Sequence, residues 1–277
     1  MTTVKPSPAP VLVFVLLDAA VFPNVTKVDA RLKATWGNRF ELTWDEPADR
    51  DQCVVQFLHV GENRADIFMM PVPIPLSDLE IPCTTSRFWP EAADVCRTHQ
   101  AHLVIGWHTQ HSESVDQHLL LAQLAAALVQ ETGALAVYWG GIVVQPVELF
   151  CKFADIATRE YLPLYMWVDF RVFKQADGRL WGVTTGLDSL GLMEIEGVSR
   201  RLTPKELEDK VYDLAHYVCR HGAVLNDGNT VGGDEHERIS VRHAASVWPR
   251  PGKVVHVNFD GPEKRGLFGS IAGLFRR

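Results

Sequence analysis

Apolar residues recur along this chain in two patterns, as short continuous runs and as stripes at helical spacing. The runs VLVFVLL at 11–17 and AHLVIGWH at 101–108 are apolar almost throughout, which is typical of strands covered on both faces. The run ADIFMMPVPIP is also extended in character, and we predict that it leaves its sheet at Pro71, because proline cannot donate to a strand ladder.

Two helical stripes carry clear start and stop signals. The first begins after Asn24, an N-cap residue, and ends at Gly37. The second opens with Thr203-Pro204-Lys205-Glu206, in which Thr203 is the N-cap and Glu206 completes a capping box, and it ends at Gly222.

The middle of the chain predicts further elements. Alanine and leucine dominate residues 114–133, which predicts a long helix, and a shorter helix is predicted from Ser86 to His99. Asp177-Gly178 lies between two apolar runs and predicts a hairpin turn.

Several predicted strands follow one another without a helix between them, which favours an α+β fold over a doubly wound parallel one. We expect mixed sheet-and-helix layers and leave open two related α+β halves. The most polar linker, TQHSES, suggests an N-terminal half at 1–110 and a C-terminal half at 111–261, followed by an amphipathic basic tail at 262–277.

Charge is distributed unevenly along the chain. The net charge of −7 includes +3 in the tail, so the remaining residues carry −10. A body this acidic repels phosphates, which argues against nucleic-acid binding and favours a basic protein partner.

The five cysteines are scattered without a CxxC pair, which is typical of reduced thiols in the cytoplasm. The run at 11–17 is short and β-branched, so we interpret it as a buried strand rather than an export signal. No run approaches the roughly 20 apolar residues of a membrane span, so no stable membrane insertion is expected.

The segment NDGNTVGGDEHERISVRH at 226–243 concentrates polar chemistry beside three glycines. As an active site it would use Asp234, Glu235, His236 and His243 for acid–base or metal chemistry. The candidate partner-binding residues of the segment are Asp227, Asp234, Glu235 and Arg238. Recognised metal and phosphate motifs are absent from it, so the favoured interpretation is a glycine-bent turn whose aspartate caps backbone amides. We expect no metal site and no cofactor.

Other possible sites are weaker. Asp169 and Arg171 share one face of a predicted strand, which we interpret as solvent-exposed, with a partner-contact surface as the alternative. The histidines between His99 and His118 lack ligand-type spacing. The segment GLDSLG misses the G-x-S-x-G nucleophile pattern by one position.

The tail PEKRGLFGSIAGLFRR would form a short apolar stripe if it were helical. The stripe consists of Leu267, Phe268, Ile271, Leu274 and Phe275. Three glycines each cost about 1 kcal/mol relative to alanine in a helix, so the stripe needs a surface on which to fold. We expect docking on protein, in a groove of its own chain or of a partner, with self-association through the tail, reversible membrane contact or plain disorder as alternatives. The candidate contacts are Leu267, Phe268, Ile271 and Phe275.

Several motifs of the second half carry a family resemblance. In order they are AVYWGG, PLYMWVDFRVF, GRLWGVTTGLDSLGLMEIEG, LAHYV and VLNDGNTVGGDEHERISVRHAASVW. Over about residues 115–259 the chain resembles the bacterial domain-of-unknown-function family 4261. The resemblance implies a cytoplasmic bacterial protein, and the association of such families with toxin–immunity and type VI secretion loci implies toxin neutralisation.

The expected function is therefore non-enzymatic protein binding, of the immunity or antitoxin type, against a basic toxin. One alternative is a hydrolase or metal-binding enzyme that uses the 226–243 segment. The other is a membrane-proximal adaptor that uses the tail.

Overall fold

The protein is described here from a computed structural model. The residues that the structure describes are 11–37, 42–44, 55–60, 63–108, 114–232 and 239–261.

A seven-stranded sheet forms the first layer of the protein. Its strands are β1 (Leu12–Leu17), β2 (Leu42–Trp44), β3 (Val55–Val60), β4 (Asn63–Met70), β5 (Ala101–His108), β6 (Ala134–Trp139) and β7 (Val143–Pro146). The spatial order is β2-β3-β4-β5-β1-β6-β7, and all neighbouring pairs are antiparallel. As predicted, β4 ends before Pro71.

Helices cover both faces of this sheet. They are α1 (Val25–Trp36), α2 (Leu76–Thr84), α3 (Ala92–Cys96), α4 (Ser114–Val129) and α5 (Val147–Ile156). Val13 and Val15 of β1 pack into the core shared with α1, α4 and α5, whereas Leu16 packs with α2 and α3 on the opposite face. Because both faces are buried, β1 is apolar at every position.

The sequence did not predict α2, and the helix predicted from Ser86 to His99 shortens to α3. Pro90 explains why α3 starts late, because the residue before a proline is disfavoured in the helical region. Pro82 lies inside α2 and lacks the N–H that would bond the carbonyl oxygen of Asp78. The hydroxyl of Tyr138 on β6 donates to that oxygen at 3.0 Å instead, so the sheet supplies the donor that the helix lacks.

A second sheet follows, with one helix across it. Its elements are β8 (Asp169–Lys174), β9 (Leu180–Thr185), β10 (Ile195–Ser199), α6 (Pro204–His221), β11 (Thr230–Val231), β12 (Ile239–Ala245) and β13 (Lys253–Asn258). The spatial order is β11-β12-β13-β10-β9-β8, in which only β10 and β13 run parallel among the strands that the structure describes. The predicted hairpin at Asp177-Gly178 joins β8 to β9.

The helix α6 packs closely on β8, β9 and β10. Its predicted capping box is present, with Thr203 and Glu206 exchanging hydrogen bonds. Close approach requires glycine beneath the helix, because a Cβ at Gly197 would lie 2.8 Å from Cγ2 of Val211 and 2.6 Å from Cε2 of Phe259.

The opposite face of the second sheet is covered by the connection between β12 and β13. Glu196 of β10 is fully buried there and accepts hydrogen bonds from the hydroxyl of Ser246 and, at 3.0 Å, from the backbone N–H of Val247. The ring of Trp248 packs 5.5 Å from that of Phe173. A buried carboxylate thus holds this connection against the sheet.

The fold is α+β, as predicted. The two sheets divide between Pro146 and Asp169, whereas the predicted boundary at residues 110 and 111 falls between β5 and α4, before β6 and β7 complete the first sheet. One apolar core extends through both sheets, and Trp139 and Trp167 pack within it with their ring centroids 6.2 Å apart.

Candidate functional site

A cleft opens where the first sheet meets the second. It is narrow and is bordered by the α2–α3 connection, by β7 and by the segment that leads into β8. Gln145 lies in this lining and is 5% exposed. Its amide nitrogen donates to the carbonyl oxygen of Tyr165 at 2.6 Å, and its buried Oε1 has no partner among the described residues.

Asp169, a predicted contact residue, lines this cleft but is 9% exposed. The expectation of a solvent-exposed strand face is therefore wrong at Asp169, because the α2–α3 connection and β7 border the same cleft. Burial raises the pKa of its carboxyl group, and the neighbouring guanidinium of Arg171 acts in the opposite direction.

The guanidinium of Arg171 contacts three other residues of the protein. Its Nε donates to Asp169, and its guanidinium lies 5.5 Å from the centre of the Trp248 ring. It also donates to the hydroxyl of Thr85 in the α2–α3 connection at 3.5 Å. The Asp169–Arg171 pair is thus satisfied internally and links the two sheet layers.

A second ionic contact crosses the same junction. Arg87 of the α2–α3 connection pairs with Glu208 of α6, which is 7% exposed, and the hydroxyl of Tyr165 donates to Glu208 at 3.0 Å. Tyr165 also stacks on Tyr212 of α6, with the ring centroids 4.8 Å apart. Burial raises the pKa of both tyrosine hydroxyls, to about 12 for Tyr212.

Beside the cleft, apolar side chains are left in contact with solvent. Phe88 is 48% exposed, and its ring meets that of Tyr165 edge-on at 5.4 Å. A second depression adjoins the cleft and shares Phe88, Pro146 and Leu149 with it. The lining of this second depression is Phe88, Pro146, Glu148, Leu149, Lys152 and Phe153. We call this lining the Phe88 surface. It combines aromatic and aliphatic side chains with two exposed charged groups of opposite sign, Glu148 and Lys152.

The described part of the 226–243 segment has structural contacts. A carboxylate oxygen of Asp227 accepts from the backbone N–H of His243 at 2.8 Å. The ring Nε2 of His243 lies 2.8 Å from the carbonyl oxygen of Leu225. Both residues therefore tie the turn after α6 to β12. The other candidates of the segment lie outside the described residues: Asp234, Glu235, His236 and Arg238.

The four described histidines between His99 and His118 lie apart and have separate partners. His99 accepts from the backbone N–H of Ile74 at 2.7 Å, His102 contacts the carbonyl oxygen of Val72, and His108 pairs with Asp66. Within the described ranges, no group of three or more histidine, cysteine or acidic residues has the arrangement of a metal site.

The structure joins two residues that the sequence left unconnected, His118 and Ser189. Nε2 of His118 on α4 lies 3.0 Å from the hydroxyl of Ser189, in the GLDSLG segment after β9. The same hydroxyl lies 2.7 Å from the carbonyl oxygen of Gly186, and the other ring nitrogen lies 2.7 Å from that of Ser114. His118 is 1% exposed, so its ring is closed to substrate and the pair serves as a bridge between the layers. No local signal predicts it, because the two residues are 71 positions apart.

Residues 183–258 match a family model, that of the domain of unknown function DUF4261. The matched segment runs from β9 to β13 and is narrower than the resemblance at 115–259. No curated protein and no solved structure matches the chain.

Across the described ranges, no helix is both long enough and apolar enough to cross a membrane. The tail candidates Leu267, Phe268, Ile271 and Phe275 lie outside those ranges.

Proposed function

We propose that this protein is a non-enzymatic binding protein that recognises a basic protein through the Phe88 surface. The observation that carries the proposal is the half-exposed Phe88, fixed by Tyr165 at the junction of the two sheet layers. In protein interfaces, aromatic side chains held in this way contribute much of the binding free energy.

The charge of the chain supports a basic partner. Residues 1–261 carry a net charge of −10, which accelerates encounter with a positively charged protein and disfavours acidic competitors. The Phe88 surface itself carries one exposed charge of each sign, Glu148 and Lys152, so the attraction comes from the chain as a whole, and Glu148 offers a local contact for a lysine or arginine.

The partner class that we propose is a basic toxin, which would make the chain an immunity-type protein acting in the bacterial cytoplasm, with type VI secretion as the proposed setting. The resemblance to a bacterial family motivates this step. The hydrolase and adaptor alternatives depend largely on residues 234–238 and on the tail, which lie outside the described ranges.

The experiment is affinity capture from the native host, followed by titration calorimetry with the purified captured protein. Phe88→Ala is compared with Phe68→Ala, a control on β4 that removes an aromatic ring of 36% exposure outside both depressions. We expect a basic partner whose affinity falls roughly tenfold to thirtyfold with Phe88→Ala and stays unchanged with Phe68→Ala.

Two further measurements complete the test: the salt dependence of binding and the unfolding temperatures of the two variants. Binding should weaken as salt rises, because screening reduces the attraction between opposite net charges. Equal affinity for both variants would refute the role of the Phe88 surface. A captured partner that is acidic, or binding that ignores salt, would refute the basic-partner proposal. Matching unfolding temperatures ensure that the two variants are compared as folded proteins.

A further inference from the structure

An open groove runs beside α6, on the part of the second sheet where β11 and β12 lie. It contains about 1310 Å³ of space open to solvent, with Lys210 and Asp213 in its lining. Its apolar lining includes Leu214, Tyr217, Val224, Val231, Ile239 and Phe259. Tyr217 is 47% exposed and Val224 is 38% exposed, so part of this lining faces water.

The groove follows from the position of α6. The helix packs mainly on β8, β9 and β10, and the sheet continues beyond β10 through β13 and β12 to β11. Beside the helix, the described residues thus leave an apolar strip of sheet and loop. It shares no lining residue with the cleft or with the Phe88 surface.

The chain itself leads into this groove. Phe259 belongs to the lining, and Gly261 is the last described residue before the tail at 262–277. Six further residues reach Leu267, a distance of up to about 20 Å when extended, so the apolar stripe of the tail can reach the groove without a long linker.

We propose that residues 262–277 dock into this groove of the same chain as a short helix. At about 1.5 Å per residue, the stripe from Leu267 to Phe275 spans about 12 Å, and the groove-lining part of α6 from Lys210 to Tyr217 spans about 10 Å. The stripe is therefore about as long as the part of α6 that lines the groove, which holds Leu214 and Tyr217 beside Lys210 and Asp213.

Conformational preference favours the same occupant, whereas the groove lining carries one charge of each sign, Lys210 and the exposed Asp213. Asp213 offers a carboxylate to Lys264 or Arg265, which precede the stripe. The three glycines of the tail leave its helix marginal in isolation, so an adjoining apolar wall supplies the stabilisation that it lacks. Docking in the same chain also covers a stripe that would otherwise promote self-association or contact with lipid.

The test is hydrogen–deuterium exchange of the full chain, read at residues 223–232 and 262–277. Leu267→Ser/Ile271→Ser should make residues 223–232 exchange roughly tenfold faster, whereas the polar-face control Ser270→Ala/Ala272→Ser should leave them unchanged. Conversely, Tyr217→Ser should accelerate exchange in the tail. The matched control is Tyr161→Ser, because Tyr161 is 51% exposed outside the groove.

Each alternative occupant gives a distinct result. Docking on a second copy would give a dimer mass by light scattering, and protection of the tail and groove from hydrogen exchange would disappear on dilution. That result would overturn the proposal. Tail-dependent flotation with phosphatidylserine vesicles, combined with no effect of Tyr217→Ser on tail exchange, would show membrane contact instead. The proposal would also be overturned if residues 223–232 exchanged at the wild-type rate in the stripe variant and the tail exchanged at the wild-type rate in the groove variant. Val224→Ser provides a second groove variant if Tyr217→Ser lowers the unfolding temperature.

Discussion

At the scale of single residues, the buried polar groups of this protein mainly hold its parts together. The carboxylate of Glu196 accepts a hydrogen bond from the β12–β13 connection, at Val247. Glu208 forms an ion pair with Arg87 across the junction, and Nε2 of His118 lies within hydrogen-bond distance of the Ser189 hydroxyl. Such groups are costly to bury without partners, so each marks a place where two elements must meet in one arrangement.

His118 makes stability depend on pH. Burial lowers the pKa of its imidazole to about 4, from 6.5 for an ordinary histidine. Since the folded state binds this proton less readily than the unfolded state, protonation at His118 lowers stability as pH falls through 6.5 towards 4, and this pH-dependent contribution fades above about pH 7. Near pH 5 the loss is about 2 kcal/mol.

Urea unfolding near pH 7.5 and near pH 5 measures this effect. We expect His118→Gln to be less stable than the wild type near pH 7.5, because its fit between Ser114 and Ser189 is poorer, but to lose about 2 kcal/mol less on acidification. An identical loss in both proteins would show that other groups carry the acid sensitivity.

At the scale of elements, the sequence predicted what local signals encode. Asn24 and Thr203 cap the helices that they were predicted to cap, and β1 and β5 are buried strands at the predicted positions. It failed at α2, because Pro82 is a local signal against a helix and the compensating Tyr138 hydroxyl comes from a distant strand. Apart from Asp169, the residues of the cleft were missed for the same reason, since their contacts arise only where the two sheets meet.

The Tyr138–Asp78 hydrogen bond can be tested by a double-mutant cycle. Tyr138→Phe removes the only hydroxyl that the described structure places on this carbonyl oxygen, and should destabilise the protein by about 1 kcal/mol. In a Pro82→Ala background, the backbone N–H of residue 82 can donate to the carbonyl oxygen of Asp78. Tyr138→Phe should therefore lower the free energy of unfolding clearly less in that background. Urea unfolding of the four proteins gives the coupling free energy. A coupling of zero would show that Tyr138 does not substitute for the missing amide.

At the scale of the whole molecule, two sheets behave as one body because core and polar contacts both cross their junction. Trp139 and Trp167 share one apolar cluster, while Arg87 and Glu208 bridge the α2–α3 connection and α6. The proposed binding surface borders this junction, where Phe88 contacts Tyr165, so the relative position of the layers bears on the placement of the Phe88 ring.

Removing Arg87 should weaken the junction. Arg87→Met leaves the carboxylate of Glu208 buried with the Tyr165 hydroxyl as its remaining side-chain partner in the described structure, and should cost about 2 kcal/mol. Arg87→Met/Glu208→Gln should recover at least half of that loss, because no unpaired charge is left. Unfolding free energies of the three proteins decide this, and a double variant no more stable than Arg87→Met would contradict the buried-charge explanation.

The position of β1 also affects how the chain is made. Leu17 pairs with Ala101 on one side and with Ala134 on the other, so this apolar strand is synthesised long before either partner. At typical translation rates of about 5–20 residues per second, β1 waits on the order of ten seconds for both neighbours. We therefore expect β1 to be the segment of the nascent chain that most needs protection by chaperones.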